Sequence, residues 1–332
     1  MANIIRAIAV LLLSACFMQV ASGQLRIMGG GFIPDENGTN PDAPIQNKLV
    51  AGAIIKDCVE CPELVVIPAG SFQMGSSLQE QTLANAAGAL APRTAQESPP
   101  HYVRLPSFAA GRYAVTKGEF AAFVRTSGYR TEAEQGEGCA TWTGQEWKIE
   151  ARNSWRNSGI AQGNDHPVVC VSWNDAQAYI QWLNRISGKS YRLLSEAERE
   201  HAARGGTQTA FWWGDGITTS QANYNGNHRY NGSPKGQHRQ TTVPVNSFNA
   251  NPFGLYNVHG NVWEWVQDCW HGNYAGAPTD GSAWTTGCTD NYRLLRGGSW
   301  GSFPMDLRSA SRDWVSPENR DYYAGFRLAR DL

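Results

Sequence analysis

The hydrophobic pattern of this chain becomes regular at Leu64. The apolar run Leu64–Pro68 predicts a short buried strand, Ala69 and Gly70 predict a turn, and residues 71–75 predict a second strand that completes a hairpin. Further short strands are predicted, from alternating or briefly apolar stretches, at 101–105, 294–296 and 326–328. Long stretches without any period-two pattern separate these strands.

Helices are predicted by capping boxes, in which a Ser or Thr at the N-cap and an acidic residue three positions later satisfy free backbone N–H groups. These boxes are Thr116–Glu119, Ser172–Asp175 and Ser195–Glu198. The second helix has the clearest amphipathic pattern, and Gly188 is its expected C-terminal cap. Its apolar face is predicted to contain Ala176, Tyr179, Ile180, Leu183 and Ile186.

Regular patterns fade after Gly205, where turn residues, tryptophan and asparagine dominate. A loop region of this length is normally functional, or is held together by a metal ion or by disulfides. The C-terminal part of the chain is therefore where a site is expected.

The N-terminus has the pattern of an export signal, which we assign to residues 1–23. Arg6 precedes an apolar stretch over residues 7–15, which is shorter than the roughly 20 apolar residues that span a bilayer. The sequence allows two ways of processing this signal. One is cleavage after the small residues Ala21–Gly23. The other is cleavage at a lipobox-like Leu-Ser-Ala-Cys, which would remove residues 1–15 and make Cys16 a lipid anchor. The chain is predicted to be exported, either to the periplasm or as a lipoprotein of the outer membrane or cell surface of a bacterium.

Residues 24–57 are rich in Gly, Asn and Pro and predict a flexible tether, which leaves 58–332 as the folded domain. Net charge is −1, so the chain has no basic footprint for nucleic acid. Charged residues make up 17% of the chain, while Gly (35) and Trp (13) are abundant. This balance favours a loop-rich domain with an aromatic core.

The chain has seven cysteines, and an even number remains when Cys16 of the predicted signal is left out. An even number can pair completely into disulfides, as is typical of exported proteins. This count predicts disulfides, and pairing is favoured where it closes a long loop, as the last two of the following pairs would. The predicted pairs are Cys58–Cys61, Cys139–Cys170 and Cys269–Cys288. For Cys58–Cys61, a redox or metal-binding pair is the alternative to a structural clip.

Two signatures near the C-terminus carry a family resemblance: Gly-Asn-Val-Trp-Glu-Trp at 260–265, and Arg-Gly-Gly-Ser-Trp at 296–300, followed by Gly325–Arg330. With matching stretches such as Ile67–Gly75, the sequence resembles the formylglycine-generating enzyme (sulfatase-modifying factor) family from Pro62 to Leu332. The resemblance implies a compact, loop-rich α+β fold related to C-type lectins.

The same resemblance implies a structural calcium ion. Asn257 and Glu264 would ligate through their side chains, and Gly260 and Val262 through their backbone carbonyls, since calcium prefers several hard oxygen ligands. The alternative is an ordinary turn in which Glu264 forms an ion pair.

No copper is expected. Copper-dependent members of the family carry two cysteines after Gly-Gly-Ser-Trp, whereas Ser299–Leu307 contains none and Met305 is its only sulfur. Oxidation of sulfatase cysteines is therefore not expected. A non-haem iron site would require His228 and His238, which share a loop, to converge.

Aromatic, acidic and basic residues are mixed in the C-terminal segment, as a pocket for a small molecule or peptide requires. The candidate pocket residues are Trp300, Phe303, Asp306, Asp313, Trp314, Tyr322 and Tyr323. Arg308, Arg312 and Phe326 are instead expected to hold the fold. The favoured function is binding of a small molecule, peptide or envelope protein. The alternative is an oxidoreductase or maturation enzyme with Asp306 or Glu318 as its base, and a third hypothesis is an assembly component without a small ligand.

Overall fold

The computed structural model describes residues 49–332; the predicted export signal, Cys16 and the tether up to residue 48 lie outside this range. The predicted tether boundary at residue 57 is too late. Ile54–Ile55 already forms a strand, β1, which pairs antiparallel with Leu64 and Val65. The last residues assigned to the tether therefore belong to the folded unit.

Short elements separated by loops make up the described range. The helices are α1 Leu78–Ala86, α2 Ala91–Ala95, α3 Lys117–Ser127, α4 Glu132–Gln135, α5 Trp173–Ser187 and α6 Glu196–Arg204, with a 3₁₀ turn at Pro304–Leu307. The strands are β1 Ile54–Ile55, β2 Leu64–Ile67, β3 Gly70–Met74, β4 His101–Leu105, β5 Phe108–Gly111, β6 Cys139–Trp142, β7 Trp147–Glu150, β8 Tyr191–Leu193, β9 Trp263–Cys269, β10 Arg293–Arg296, β11 Arg312–Val315, β12 Ala324–Phe326 and β13 Leu328–Asp331.

Two sheets form the frame; the first is antiparallel throughout, and the second is mixed because β12 runs parallel to β9. The first has five strands in the order β1-β2-β5-β13-β8, and the second has four in the order β11-β10-β9-β12. The pairs β3–β4 and β6–β7 form separate two-stranded sheets. The predicted loop-rich α+β fold is confirmed.

The prediction that the strands at 64–68 and 71–75 pair with each other in a hairpin is wrong. Strand β2 is buried along its whole length and pairs with β1 and β5, whereas β3 pairs with β4. A strand buried on both faces belongs in the interior of a sheet with a partner on each side. The Ala69–Gly70 turn instead directs the chain into a different sheet.

All predicted capping boxes form, at Thr116, Ser172 and Ser195. Helix α5 ends at Gly188, which has the left-handed conformation expected of a C-terminal cap. Its buried face includes Tyr179 and Leu183 as predicted, but Ile186 is exposed and Trp182 is buried instead. The apolar face therefore ends before the last turn of the helix.

The predicted disulfides Cys58–Cys61, Cys139–Cys170 and Cys269–Cys288 are confirmed. They close the loops at the N-terminal edge, at the base of the β6–β7 hairpin and after β9 respectively. No helix within residues 49–332 combines the length and apolar composition needed to cross a bilayer.

Buried ion pairs tie the C-terminal segment to helix α6. Arg296 donates to Glu196 and Glu200, and Arg312 forms a two-pronged pair with Glu196. Arg308 pairs in the same way with Glu97. Arg308 and Arg312 therefore hold the fold, as predicted, because a buried guanidinium that lost its carboxylate would destabilise the folded state strongly.

Candidate functional site

A cavity of about 580 Å³ opens between the β6–β7 hairpin, strands β10 and β11, and the turn at 319–323. Its lining combines large aromatic side chains with a few charged and polar groups. The lining residues are Arg93, Ala140, Trp147, Ile149, Trp263, Leu295, Asp313, Trp314, Val315, Asn319, Asp321 and Tyr323. Both the volume and this mixture are typical of small-molecule sites.

The aromatic walls are fixed by packing. Trp147 meets the ring of Tyr323 edge-on at 5.4 Å, and Tyr323 lies 4.6 Å from Trp300, which is itself buried. On the opposite wall Trp314 stacks on Trp270 at 4.1 Å. The rings are therefore held in place without a ligand, apart from the outer face of Trp147, which is half exposed.

Asp313 and Arg93 form the first charged group of the cavity. Their side chains lie 3.2 Å apart, and the Arg93 guanidinium also sits 5.0 Å from the Trp314 ring. Burial raises the pKa of Asp313, against the opposing effect of the Arg93 charge. Asp313 therefore already has its counterion from within the protein.

Asp321 is the second acidic group and is placed differently. Its carboxylate accepts hydrogen bonds from the Asn319 amide at 3.0 Å and from the Tyr323 backbone N–H at 2.8 Å, both of which are neutral donors. Burial raises its pKa, and the nearby charge of Asp313 raises it further. Among the described residues, Asp321 has no salt-bridge partner.

The structure divides the residues predicted to share one pocket. Asp313, Trp314 and Tyr323 line the cavity together. Phe303 and Asp306 line a separate cavity of about 170 Å³ beside α2. Trp300 belongs to the core, where its indole N–H donates to the Tyr322 carbonyl, and Tyr322 faces a recess outside the β6–β7 hairpin.

Neither candidate base lines the larger cavity. The Asp306 carboxylate accepts from the Phe303 backbone N–H at the start of the 3₁₀ turn, and burial raises its pKa to about 6. Glu318 is exposed. Their positions give Asp306 a capping role and leave Glu318 in solvent.

Sequence reasoning missed five polar or aromatic members of the cavity: Arg93, Trp147, Trp263, Asn319 and Asp321. Arg93 lies on the short helix α2, and Trp147 begins a strand in a hairpin that the hydrophobic pattern did not predict. Asp321 was within reach of sequence reasoning, because it directly precedes the Tyr322–Tyr323 pair already selected.

Glu264 does not fit a calcium ligand in this structure. Its side chain is 1% exposed and accepts from Arg199 at 2.6 Å and from Arg327 at 2.8 Å. Burial alone would raise the pKa of Glu264, but the two guanidinium charges outweigh burial and hold the pKa below its ordinary value. One carboxylate between two buried cations leaves an excess of positive charge, which disfavours a divalent cation at the same place.

The other predicted calcium ligands give a mixed result. The Asn257 side-chain oxygen is buried without a hydrogen-bond partner in the described part of the chain, which would suit a cation. The Gly260 carbonyl accepts from the Val262 N–H at 3.0 Å. Without a free carboxylate, these neutral oxygens form a poor set for calcium, so the alternative of a turn with Glu264 in an ion pair describes this structure.

Two serine hydroxyls lie in the region of Gly-Gly-Ser-Trp, where copper-dependent members of the family carry two cysteine thiols. Ser299 and Ser302 hydrogen bond through their side chains at 2.9 Å. Near them His228 packs 4.1 Å from Phe303, and His238 lies 6.3 Å from Trp300. Burial lowers the pKa of His238, and the charge of His228 lowers it further.

No third side chain joins the two histidines. Within residues 49–332, no group of three His, Cys, Asp or Glu residues is arranged to hold a metal ion. The pair therefore lacks the carboxylate that a non-haem iron site would add.

Short sheets are joined by long, cross-braced loops, and the Gly-Asn-Val-Trp-Glu-Trp motif leads into β9, an interior strand of the four-stranded sheet. This arrangement defines a formylglycine-generating-enzyme-like domain. The family model described as "Sulfatase-modifying factor enzyme 1-like domain" matches residues 50–332, and the chain belongs to this family.

Relatives within the family differ in what their names say of activity. The chain is 36% identical to the formylglycine-generating enzyme of Streptomyces coelicolor over 298 residues, covering 80% of this chain and 88% of that protein. It is 32% identical to the inactive C-alpha-formylglycine-generating enzyme 2 of Bos taurus over 300 residues, covering 80% and 87% respectively. Among solved structures, PvdO from Pseudomonas aeruginosa matches with 38% identity and a TM-score of 0.69, over 86% of this chain and 100% of that one.

Proposed function

We propose that this protein is an exported member of the family that binds a small organic ligand in the cavity lined by Trp147, Trp314 and Tyr323. The observation that carries the proposal is the cavity itself, with its preformed aromatic walls and few polar groups. Such a combination buries most of a small ligand while fixing its orientation. A peptide end or an exposed loop of an envelope protein is the alternative occupant.

The family's copper-dependent oxidation of sulfatase cysteines is not part of this proposal. Every cysteine of the described residues is engaged in a disulfide, and the remaining one, Cys16, belongs to the predicted export signal. Copper(I) sites of this kind require thiolates. The Ser299–Ser302 hydroxyl pair offers hard oxygens instead.

Export is supported by the same disulfides, because such bonds form and persist in oxidising compartments. A location in the periplasm, or on the outer membrane or cell surface through a lipid on Cys16, remains the proposal made from the sequence. We propose no nucleic-acid partner and no resident copper.

A second candidate function is a maturation enzyme that acts on a non-sulfatase substrate in the same cavity. Two partly buried carboxylates in the cavity, Asp313 and Asp321, favour it, because burial raises the pKa of both groups and a raised pKa is typical of carboxyl groups that act as general acids or bases. These residues, rather than Asp306 or Glu318, would act on a bound ligand.

The experiment is a fragment screen followed through the tryptophan indole N–H resonances of the intact protein. We expect bound fragments to shift the signals of Trp147 and Trp314. Substitution Ala140→Phe should abolish these shifts, because Ala140 lines the cavity and a larger side chain would fill it.

Matched controls complete the test. Gln145→Phe, an exposed position in the same hairpin, should leave binding unchanged. A screen in which no fragment shifts a cavity resonance, or in which Ala140→Phe binds like the unsubstituted protein while remaining folded, would exclude the proposed site. Oxidation of a sulfatase cysteine peptide by the purified protein would show that the family reaction is retained.

A further inference from the structure

The charges of the cavity described above do not balance. Arg93 supplies one positive charge, and Asp313 and Asp321 supply two carboxylates. Arg93 lies 3.2 Å from Asp313, so that pair is complete. Within residues 49–332, the hydrogen-bond donors to Asp321 are neutral, namely the Asn319 amide and the Tyr323 backbone N–H.

A carboxylate that is removed from water without a positive partner is costly, so a ligand that supplies this partner gains binding energy from it. A neutral donor would add little, since Asp321 already accepts two neutral hydrogen bonds. An anion would have to compete with Asp313 for Arg93, whose side chain is 47% exposed and therefore screened by solvent.

Aromatic rings border the same region. Trp147 and Tyr323 both line the cavity, and the backbone N–H of Tyr323 donates directly to Asp321. The faces of such rings attract cations, by about 0.5–1 kcal/mol at exposed sites and more when water is excluded. The aromatic walls and the carboxylate therefore favour the same kind of ligand group.

We propose that the ligand of this cavity carries a basic nitrogen, an ammonium or guanidinium group, which pairs with Asp321 beside the rings of Trp147 and Tyr323. This inference rests on the proposed function, because it names the chemical class of ligand for that cavity. It makes Asp321 a specificity-determining residue and Asp313, already paired with Arg93, a secondary one.

The test compares three probes of one size that differ in charge: 2-phenylethylamine, 2-phenylethanol and phenylacetate. Their dissociation constants are measured on the intact protein from the indole N–H resonances. We expect the amine to bind at least about tenfold more tightly than the alcohol and the acid, a ratio equivalent to about 1.4 kcal/mol.

Variants assign the preference to Asp321. Asp321→Asn keeps an oxygen to accept the Tyr323 N–H and should bring the amine to the affinity of the alcohol. Asp290→Asn, at an exposed loop position, is the matched control and should keep the preference. Trp147→Leu should weaken the amine more than the alcohol, since only the cation loses its interaction with the ring.

The inference is overturned if the alcohol or the acid binds as tightly as the amine, if Asp321→Asn keeps the preference, or if none of the three probes binds. The proposed function is judged separately by the fragment screen. If other fragments occupy the cavity and Ala140→Phe blocks them while the amine preference is absent, the cavity remains a binding site and only its charge selectivity is refuted. If no fragment binds at all, both proposals fail.

Discussion

Replacing Glu264 by glutamine should destabilise the protein more than replacing its partner Arg199 by methionine. In the folded state the Glu264 carboxylate separates two guanidinium groups, those of Arg199 and Arg327, and all three side chains are at most 2% exposed. Glutamine has nearly the same shape but no charge. The substitution would therefore leave two buried cations facing each other without an anion.

The magnitude follows from what each substitution leaves behind. Breaking a buried ion pair by removing one partner costs about 3–5 kcal/mol, and Glu264→Gln removes the only anion of this group. Arg199→Met leaves the Glu264–Arg327 pair intact and removes the hydrogen bond to the Val258 carbonyl, at a cost of about 1–3 kcal/mol. Burial lowers the pKa of Arg199, and the neighbouring Arg327 opposes its charge as well, so the protein tolerates the loss of this cation better than the loss of the anion.

The double variant gives the sharpest expectation. Arg199→Met should destabilise the unsubstituted protein but stabilise the Glu264→Gln protein, because in the second case it removes a cation that has no counterion. Unfolding by urea, followed by tryptophan fluorescence, measures all four proteins, and Glu318→Gln at an exposed position serves as the control. Additive effects of the two substitutions would refute the charge argument, since contacting residues of this kind should couple.

The same proteins decide whether calcium takes part. We expect chelation by EDTA to leave the melting temperature of the unsubstituted protein unchanged, because the arginines already neutralise Glu264. A fall in melting temperature that calcium restores, and that Glu264→Gln abolishes, would show that a calcium ion displaces a guanidinium in solution.

Three further predictions test separate features. Asp268 is 4% exposed, and burial raises its pKa to about 7, so its ionisation should destabilise the folded state as pH rises from about 4 to 7. In urea unfolding, the free energy of unfolding of Asp268→Asn should therefore rise relative to that of the unsubstituted protein by on the order of 2–4 kcal/mol between pH 4 and pH 8. Parallel pH profiles of the two proteins would contradict this prediction. Replacing both Cys139 and Cys170 by serine opens a loop of sequence separation 31 and should cost about 3–4 kcal/mol, whereas an unchanged unfolding midpoint would show that packing alone holds the hairpin base. A Cβ on Gly301 would lie 2.3 Å from the Tyr323 ring, so Gly301→Ala should cost about 1–3 kcal/mol and weaken fragment binding, and normal binding would show that the ring can move aside freely.

Local signals made the helices predictable. A capping box places its donor and acceptor within four residues, so Ser172 and Ser195 could be identified as helix starts without knowledge of the tertiary structure. Strand partners were harder, because pairing depends on elements far apart in sequence. The pattern at 64–75 predicted two strands correctly, but their partners, β5 and β4, lie beyond the turn that suggested a hairpin.

Resemblance to the family identified the fold but not the ion pairs that this chain makes within it. Arg199 directly follows the capping box Ser195–Glu198, yet nothing near it in sequence indicates that its guanidinium reaches Glu264, which is 65 residues away. The guanidinium of Arg199 therefore occupies the carboxylate that the family resemblance assigns to calcium, and only the structure reveals this pairing.

The cavity shows most clearly why the site was only partly predictable. The aromatic and charged residues of the C-terminal segment were predicted to share one pocket, but the structure places them in two cavities. The 3₁₀ turn at 304–307 places Phe303 and Asp306 in the smaller cavity, and strand β11 places Asp313 and Trp314 in the larger one. The missing wall comes from the β6–β7 hairpin, which Cys139–Cys170 anchors to the body of the domain. The disulfide and the pairing of β6 with β7 thus bring Trp147 next to Tyr323, although the two residues are far apart in sequence. A ligand that touches both rings would bridge these parts of the fold, so its binding should raise the stability of the hairpin together with that of the domain.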